Sequence, residues 1–289
     1  MFAAVVAALL QTQAPAPALE VRIAGAWIGW PNYAAGAAVA RPGLLDAAIA
    51  WEDSADGLRT GSFEVRTAEG ALRNSMAVVE LDPRRFRFDL ALLPPDGRRS
   101  AADHLAADST LVLVSNTGLF RGNGTPHGLV MLDGRRRSAL AGWLDAVVVL
   151  DSAGVHVTDI ATAAREMPPG SWGFQTLPFL VRDQHVVFGW TSGLKLSRTH
   201  RDLRITLCLN PGRIRLFLSN FEVFGATAGR VPIGLTIPEQ ALIAAGMGCA
   251  EAAALDGGIS SQIAIRVGKR VVRWPGWRRV PLMLQVRRR

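Results

Sequence analysis

Ala253-Ala-Leu-Asp256-Gly257-Gly258-Ile-Ser260-Ser261-Gln262, followed by Ile263–Val267, reads as an apolar strand, a turn of glycines and serines, and a second apolar strand. The first strand delivers one carboxylate to that turn. Glycine lets the main chain approach a partner closely, and a buried strand ending in an acid is a common way to present a reactive group. The same residues also make a tight turn whose Asp bonds its own backbone. The rest of the chain decides between the two.

Outward from this turn the sequence is a series of short β-like runs. They fall at Val21–Trp30, Gly61–Arg66, Met76–Leu81, Phe86–Leu92, Thr110–Ser115, Gly128–Leu132 and Ala146–Leu150. Others are His185–Phe188, Leu203–Leu209, Arg213–Ser219, Ser261–Val267, Arg270–Arg273 and Val280–Val286. Asp133-Gly134 and Pro211-Gly212 are hairpin signals, which implies antiparallel pairing. Thr236-Ile-Pro-Glu239 is a capping box with Pro in the first turn, so a helix is expected over Ile237–Gly246. Further helices are expected at Ile160–Glu166, stopped by Pro168-Pro169-Gly170, and at Ala101–Ala107. Strands outnumber helices and cluster. The expected fold class is therefore α+β: a mixed, mainly antiparallel β-sheet core with a few flanking helices.

The chain has 289 residues, 49% hydrophobic and 19% charged, a globular rather than disordered composition. The net charge of +8 is almost all arginine, since Lys195 and Lys269 are the only lysines. The basic residues are dispersed, with no stripe of interleaved aromatics, so no nucleic-acid partner is expected. The balance suits anionic substrates, polysaccharides or membrane surfaces. Phe2–Leu10 is an apolar run too short to span a bilayer, followed by small-residue sites at Ala14-Pro-Ala16-Pro-Ala18. Residues 1–18 are read as an export signal, which makes the mature protein periplasmic or extracellular, with no transmembrane span. Residues 19–72 are read as an N-terminal β element packed on a main domain over 73–289. Cys208 and Cys249 fit one disulfide or two buried thiols equally well.

Several other stretches carry candidate site residues. Val114-Ser115-Asn116-Thr117-Gly118 is a strand ending in Asn and a small-residue turn, running on to Pro126-His127-Gly128. Asn116 can bond a sugar or phosphate, or form an Asx-turn. Arg198-Thr199 offers a guanidinium and a hydroxyl, suited to bidentate oxyanion binding or to a structural ion pair. Gln175 lies in Gly173-Phe-Gln-Thr-Leu177-Pro178 and can orient a hydroxyl. Glu239 is the nearest candidate for a second carboxylate, although the capping box already accounts for it. The five histidines lack metal-ligand spacing and no cysteine cluster supplements them, so no metal and no cofactor is expected.

Taken in order, these pieces resemble the phosphodiester glycosidase family. The likeness runs through Asn116-Thr-Gly-Leu-Phe120, Pro126-His-Gly-Leu129, Gln175-Thr-Leu-Pro178 and Arg198-Thr199. It continues with Gly234-Leu-Thr-Ile-Pro-Glu239, Met247-Gly-Cys249 and Leu255-Asp-Gly-Gly-Ile-Ser-Ser261, and covers roughly Ala77 to Val286. Three of these motifs depart from the family pattern. Leu177 replaces a glycine, His200-Arg201-Asp202 replaces Ala-Ile-Gly, and Ile259 replaces the third glycine of the last motif.

The resemblance implies an exported hydrolase of a sugar-1-phosphodiester or related glycosidic bond, with carbohydrate or glycan-phosphate as partner. Asp256 would act at C1, Arg198 on the phosphate, and Asn116 beside them. Gln175, Thr199, Gly257, Gly258, Ser260, Ser261, Gly118 and His127 would contact substrate. Two other readings stay open. One is a non-catalytic envelope protein that binds a glycan or anionic polymer in the same pocket. The other is a hydrolase of another bond, using Ser260 or Ser261 with His127 or His200 as base.

Overall fold

The computed structural model describes residues 19–30, 44–67, 73–187, 199–220 and 234–289. The proposed export signal, 1–18, and Arg198 lie outside them.

The fold is three β-sheets around one core. The largest, ten-stranded, runs in the order His185–Val186, Phe179–Arg182, Glu251–Ala254, Ile205–Asn210, Arg213–Asn220, Arg73–Leu81, Leu58–Thr67, Leu19–Ile23, Ala26–Trp30, with Ala50–Ala55 also paired to Leu58–Thr67. A second sheet of five orders Val155–Thr158, Ala146–Leu150, Trp172–Thr176, Val130–Leu132 and Arg135–Ser138. The third orders Arg270–Trp274, Ile263–Val267, Leu111–Asn116, Leu282–Arg288 and Phe86–Leu92. Strands from the segment 19–67 belong to the largest sheet and join the rest through the pairing of Leu58–Thr67 with Arg73–Leu81.

Every strand pairing among the described residues is antiparallel. The expected mixed sheet is thus corrected to antiparallel sheets. The fold is also richer in β than a balanced α+β class, with three short α-helices among the described residues: α1 (Ala101–Ala107), α2 (Ile160–Glu166) and α3 (Ile237–Gly246). All three expected helices form at the expected bounds because each has a local start signal. Ser100 caps Asp103 N at 3.0 Å, Asp159 caps Thr162 N at 2.8 Å, and Thr236 and Glu239 close the capping box on α3.

Each sheet is covered on both faces. Val79, Leu207, Leu113 and Val148 point to the core shared by all three sheets. Their neighbours point the other way, Val78 and Cys208 beneath α3, Val114 beneath α1, and Val147 and Val149 beneath α2. This explains why these strands read as unbroken apolar runs rather than alternating ones.

The two hairpin signals hold. Asp133-Gly134 joins its strands with φ of +50° and +69°, and Pro211-Gly212 does so with Gly212 at +72°. Val21–Trp30, read as one run, is two strands folded at Ala24-Gly25, where both residues have positive φ. The two cysteines form a disulfide with Cα atoms 5.4 Å apart, linking the Ile205–Asn210 strand to the chain just past α3. No helix of the described residues is long and apolar enough to cross a membrane.

Candidate active site

The ends of strands from all three sheets converge on Asp256. Glu251–Ala254 lies between Phe179–Arg182 and Ile205–Asn210 in the largest sheet, and Asp256 follows its end. Ile263–Val267 then pairs with Leu111–Asn116 in another sheet, so the glycine-serine turn is a crossing between two sheets rather than a hairpin. Trp172–Thr176, from the second sheet, is tied in by Thr176 Oγ1, which donates to Ala254 O at 2.6 Å.

Asn116 holds this crossing at both ends. Its Nδ2 donates to Asp256 O at 2.6 Å and its Oδ1 accepts from Gln262 N at 2.9 Å. Asp256 N donates to Thr117 O at 2.7 Å, Leu255 N to Ile205 O at 2.9 Å, and Gly258 N to Leu203 O at 2.8 Å. The glycines are needed here. A Cβ on Gly257 would lie 2.8 Å from Leu203 O, and Gly258 has φ +62°, a left-handed backbone that side chains disfavour.

A cavity of about 220 Å³ opens at this convergence. It is smaller than the ~300–1,000 Å³ of pockets that enclose drug-sized ligands. Its apolar wall includes Leu119, Leu177, Pro178 and Ile237, the first residue of α3; the Leu177–Pro178 peptide is cis. Its polar wall carries Asp202, Arg204 and Asp256.

Burial pushes the Asp256 carboxyl up to about 6; a hydrogen bond from the Ser260 hydroxyl and the charge of Arg278 oppose the rise, and the charge of Asp202 adds to it. Arg278 is itself held with its guanidinium 4.6 Å from the centre of the Phe120 ring. Arg204 is fixed by main-chain acceptors: Nε donates to Leu235 O at 3.0 Å and Nη2 to His200 O at 3.1 Å. Its Nη1 lies 3.7 Å from where a Cβ of Gly257 would stand. Burial lowers its pKa while Asp202 and Glu239 oppose the shift, and an arginine keeps its charge through such changes. Among the described residues, Arg204 has no carboxylate within ion-pair distance.

Other sequence-selected residues serve the frame. Gln175 is buried, with Oε1 accepting from Leu129 N and Ala141 N at 2.7 and 2.8 Å and Nε2 donating to Ala141 O and Leu144 O at 3.0 and 3.2 Å. All its side-chain bonds go to main chain. Gly118 sits against Gln175 O, where a Cβ would come within 2.4 Å. The His127 ring packs edge-on to Trp143 at 5.5 Å, and the main-chain N–H of His127 donates to Leu119 O at 2.8 Å. Thr199 is exposed at the edge of the described residues. Ser261 Oγ is buried without a partner among the described residues, so no histidine base is hydrogen-bonded to it. Glu239 is taken up by its capping box and by Arg201, at 2.6 and 2.7 Å. Asp202 stands out in the sequence only as a departure from the family pattern, and Arg204 and Arg278 do not stand out as site residues because arginine is so frequent here. Among the described residues no group of three or more His, Cys, Asp or Glu is arranged to hold a metal.

A family model described as phosphodiester glycosidase matches residues 109–287, more than half of the chain. The chain belongs to the phosphodiester glycosidase family. The matched span includes Asn116, Gln175, Asp202, Arg204 and Asp256. No curated protein matches the sequence. Among solved structures, the catalytic domain of zebrafish N-acetylglucosamine-1-phosphodiester alpha-N-acetylglucosaminidase, auto-inhibited by its pro-peptide, is similar with TM-score 0.63 and 13% identity, over 84% of this chain and 89% of that one. A hypothetical protein from Synechocystis is similar with TM-score 0.60 and 14% identity, over 83% of this chain and 64% of that one. A Burkholderia pseudomallei protein described as exported is similar with TM-score 0.50 and 15% identity, over 77% and 76%. At such identities the likeness establishes the fold.

Proposed function

We propose that this phosphodiester glycosidase is exported and hydrolyses the bond between C1 of a sugar and a phosphoester oxygen in envelope or extracellular glycans. The observation that carries this reading is the sharing of one cavity by the Asp256 carboxylate and the Arg204 guanidinium.

Breaking such a bond leaves positive charge on the sugar ring and negative charge on the departing phosphoester. That leaving group is weakly basic, so charge stabilisation matters more than protonation. Asp256, oriented by Ser260, faces C1 and offsets the ring's charge. Arg204 faces the phosphate, the part that the family resemblance gives to Arg198. Asn116, Gln175 and Gly118 keep the crossing and its neighbouring loop in place. Gly257, on the cavity wall, borders the substrate.

Export is supported by the apolar run at Phe2–Leu10 and by the disulfide, a bond that persists in oxidising compartments. A second reading, a non-catalytic glycan binder, is favoured by one feature. Leu177 stands on the cavity wall where the family pattern has glycine. Incubation with UDP-N-acetylglucosamine and other glycosyl-1-phosphodiesters separates the two. A hydrolase releases free sugar; a binder shows affinity without turnover.

A further inference from the structure

Asp202 is a second carboxylate on the Asp256 cavity. Its main chain is fixed by a two-way pairing with Leu235, at 3.2 and 3.0 Å, just ahead of α3. Its Oδ1 accepts from Leu203 N at 2.9 Å. Its Oδ2 stands over the glycine turn, 2.9 Å from where a Cβ of Gly258 would be, and 3.7 Å from His200 Nε2. The neighbouring Arg201 does not neutralise it, because that guanidinium is committed to both oxygens of Glu239. Asp202 and Asp256 sense each other electrostatically. Two carboxylates at one hollow are what glycoside hydrolysis commonly uses, one at the ring and one on water.

We propose that Asp202 is the water-activating carboxylate of this site. The proposal rests on the hydrolase reading and adds a residue to it. Ionised Asp202 takes a proton from water while an electron pair of the water oxygen forms the new bond to C1. The bond from C1 to the phosphoester oxygen breaks, and its electron pair leaves on that oxygen. The proton then passes from Asp202 to solvent.

The test compares the wild type with Asp202→Asn and Asp202→Ala on UDP-N-acetylglucosamine or another glycosyl-1-phosphodiester that the wild type cleaves. Asp202→Asn keeps an acceptor for Leu203 N–H, so the fold is retained and a melting curve checks it. Its kcat should fall about 10²–10⁴-fold, the usual worth of a general base, with KM within a few-fold. With Asp202→Ala, added azide should restore turnover and yield a glycosyl azide, a product that a merely structural role does not give. An Asp202→Asn kcat within threefold of wild type, or a folded Asp202→Ala that forms no glycosyl azide, overturns the proposal. A wild type that cleaves no such substrate overturns the hydrolase reading, and this proposal with it.

Discussion

Asn116 Nδ2 donates to the main-chain carbonyl of Asp256 at 2.6 Å, so the end of one sheet fixes the height of an acid carried by another. The partner bond from Gln262 N at 2.9 Å completes a clamp on the crossing. Asn116→Ala removes both contacts and strands two buried main-chain groups. It should cost about 2–6 kcal/mol by denaturant titration, from roughly 1–3 kcal/mol for each unsatisfied group. Activity should fall with it while the shape of the pH profile is kept, since Asp256 itself remains.

The raised Asp256 pKa links catalysis to stability with opposite signs. If the ionised form acts at C1, kcat/KM rises with pH through about 6 and then levels off. Stability runs the other way. The folded acid holds its proton above the ordinary value of 3.8, so this group's contribution is fully present below 3.8 and is lost as pH rises through about 6. Asp256→Asn should therefore stabilise the protein at pH 7 by about 1–3 kcal/mol and leave it nearly unchanged at pH 4. Urea titrations at the two pH values check this; equal effects at both would contradict it.

Arg204 is fixed by two carbonyls and should act on charge rather than on folding. Arg204→Gln is expected to lower kcat/KM for a phosphodiester by about 2–4 kcal/mol of transition-state binding. The loss should be much smaller for a glycoside of the same sugar with an uncharged leaving group. Arg204→Lys should recover little, because an ammonium cannot hold both carbonyls and also face the cavity. Equal losses on both substrates would assign Arg204 a structural part.

Away from the site, Arg215 is nearly fully buried and pairs with Asp46 at 2.6 Å and Glu80 at 2.7 Å. Glu80→Ala leaves that charge short of a partner and should destabilise by about 3–5 kcal/mol. Arg22→Ala breaks an exposed pair with Glu64 and should cost less than about 1 kcal/mol. Parallel urea melts decide whether the two differ as expected.

What was legible in the sequence was local. Ser100, Asp159 and Thr236 start their helices with their own side chains, so the boundaries could be read without knowing the fold. The Asp256 turn and Asn116 were likewise visible as strand ends. The strand that leads to Asp256 is legible from Ala253, and its pairing on both sides carries it back to Glu251, where alanines of little β preference hide its start. Asp202 is legible only as a departure from the family pattern, and Arg204 only as part of the run from Leu203. Their place depends on the Asp202–Leu235 pairing and on Leu203 O receiving Gly258 N, contacts that join distant segments. Gln175 was selected as a ligand contact on residue type, and the geometry spends its amide on Leu129, Ala141 and Leu144 instead.

The most direct measurement is release of free sugar from a glycosyl-1-phosphodiester by the purified protein, compared with Asp256→Asn. The account predicts turnover by the wild type and a loss of at least ~10²-fold in the folded variant. Equal turnover by both proteins, or none by the wild type across a panel of such substrates, would contradict it.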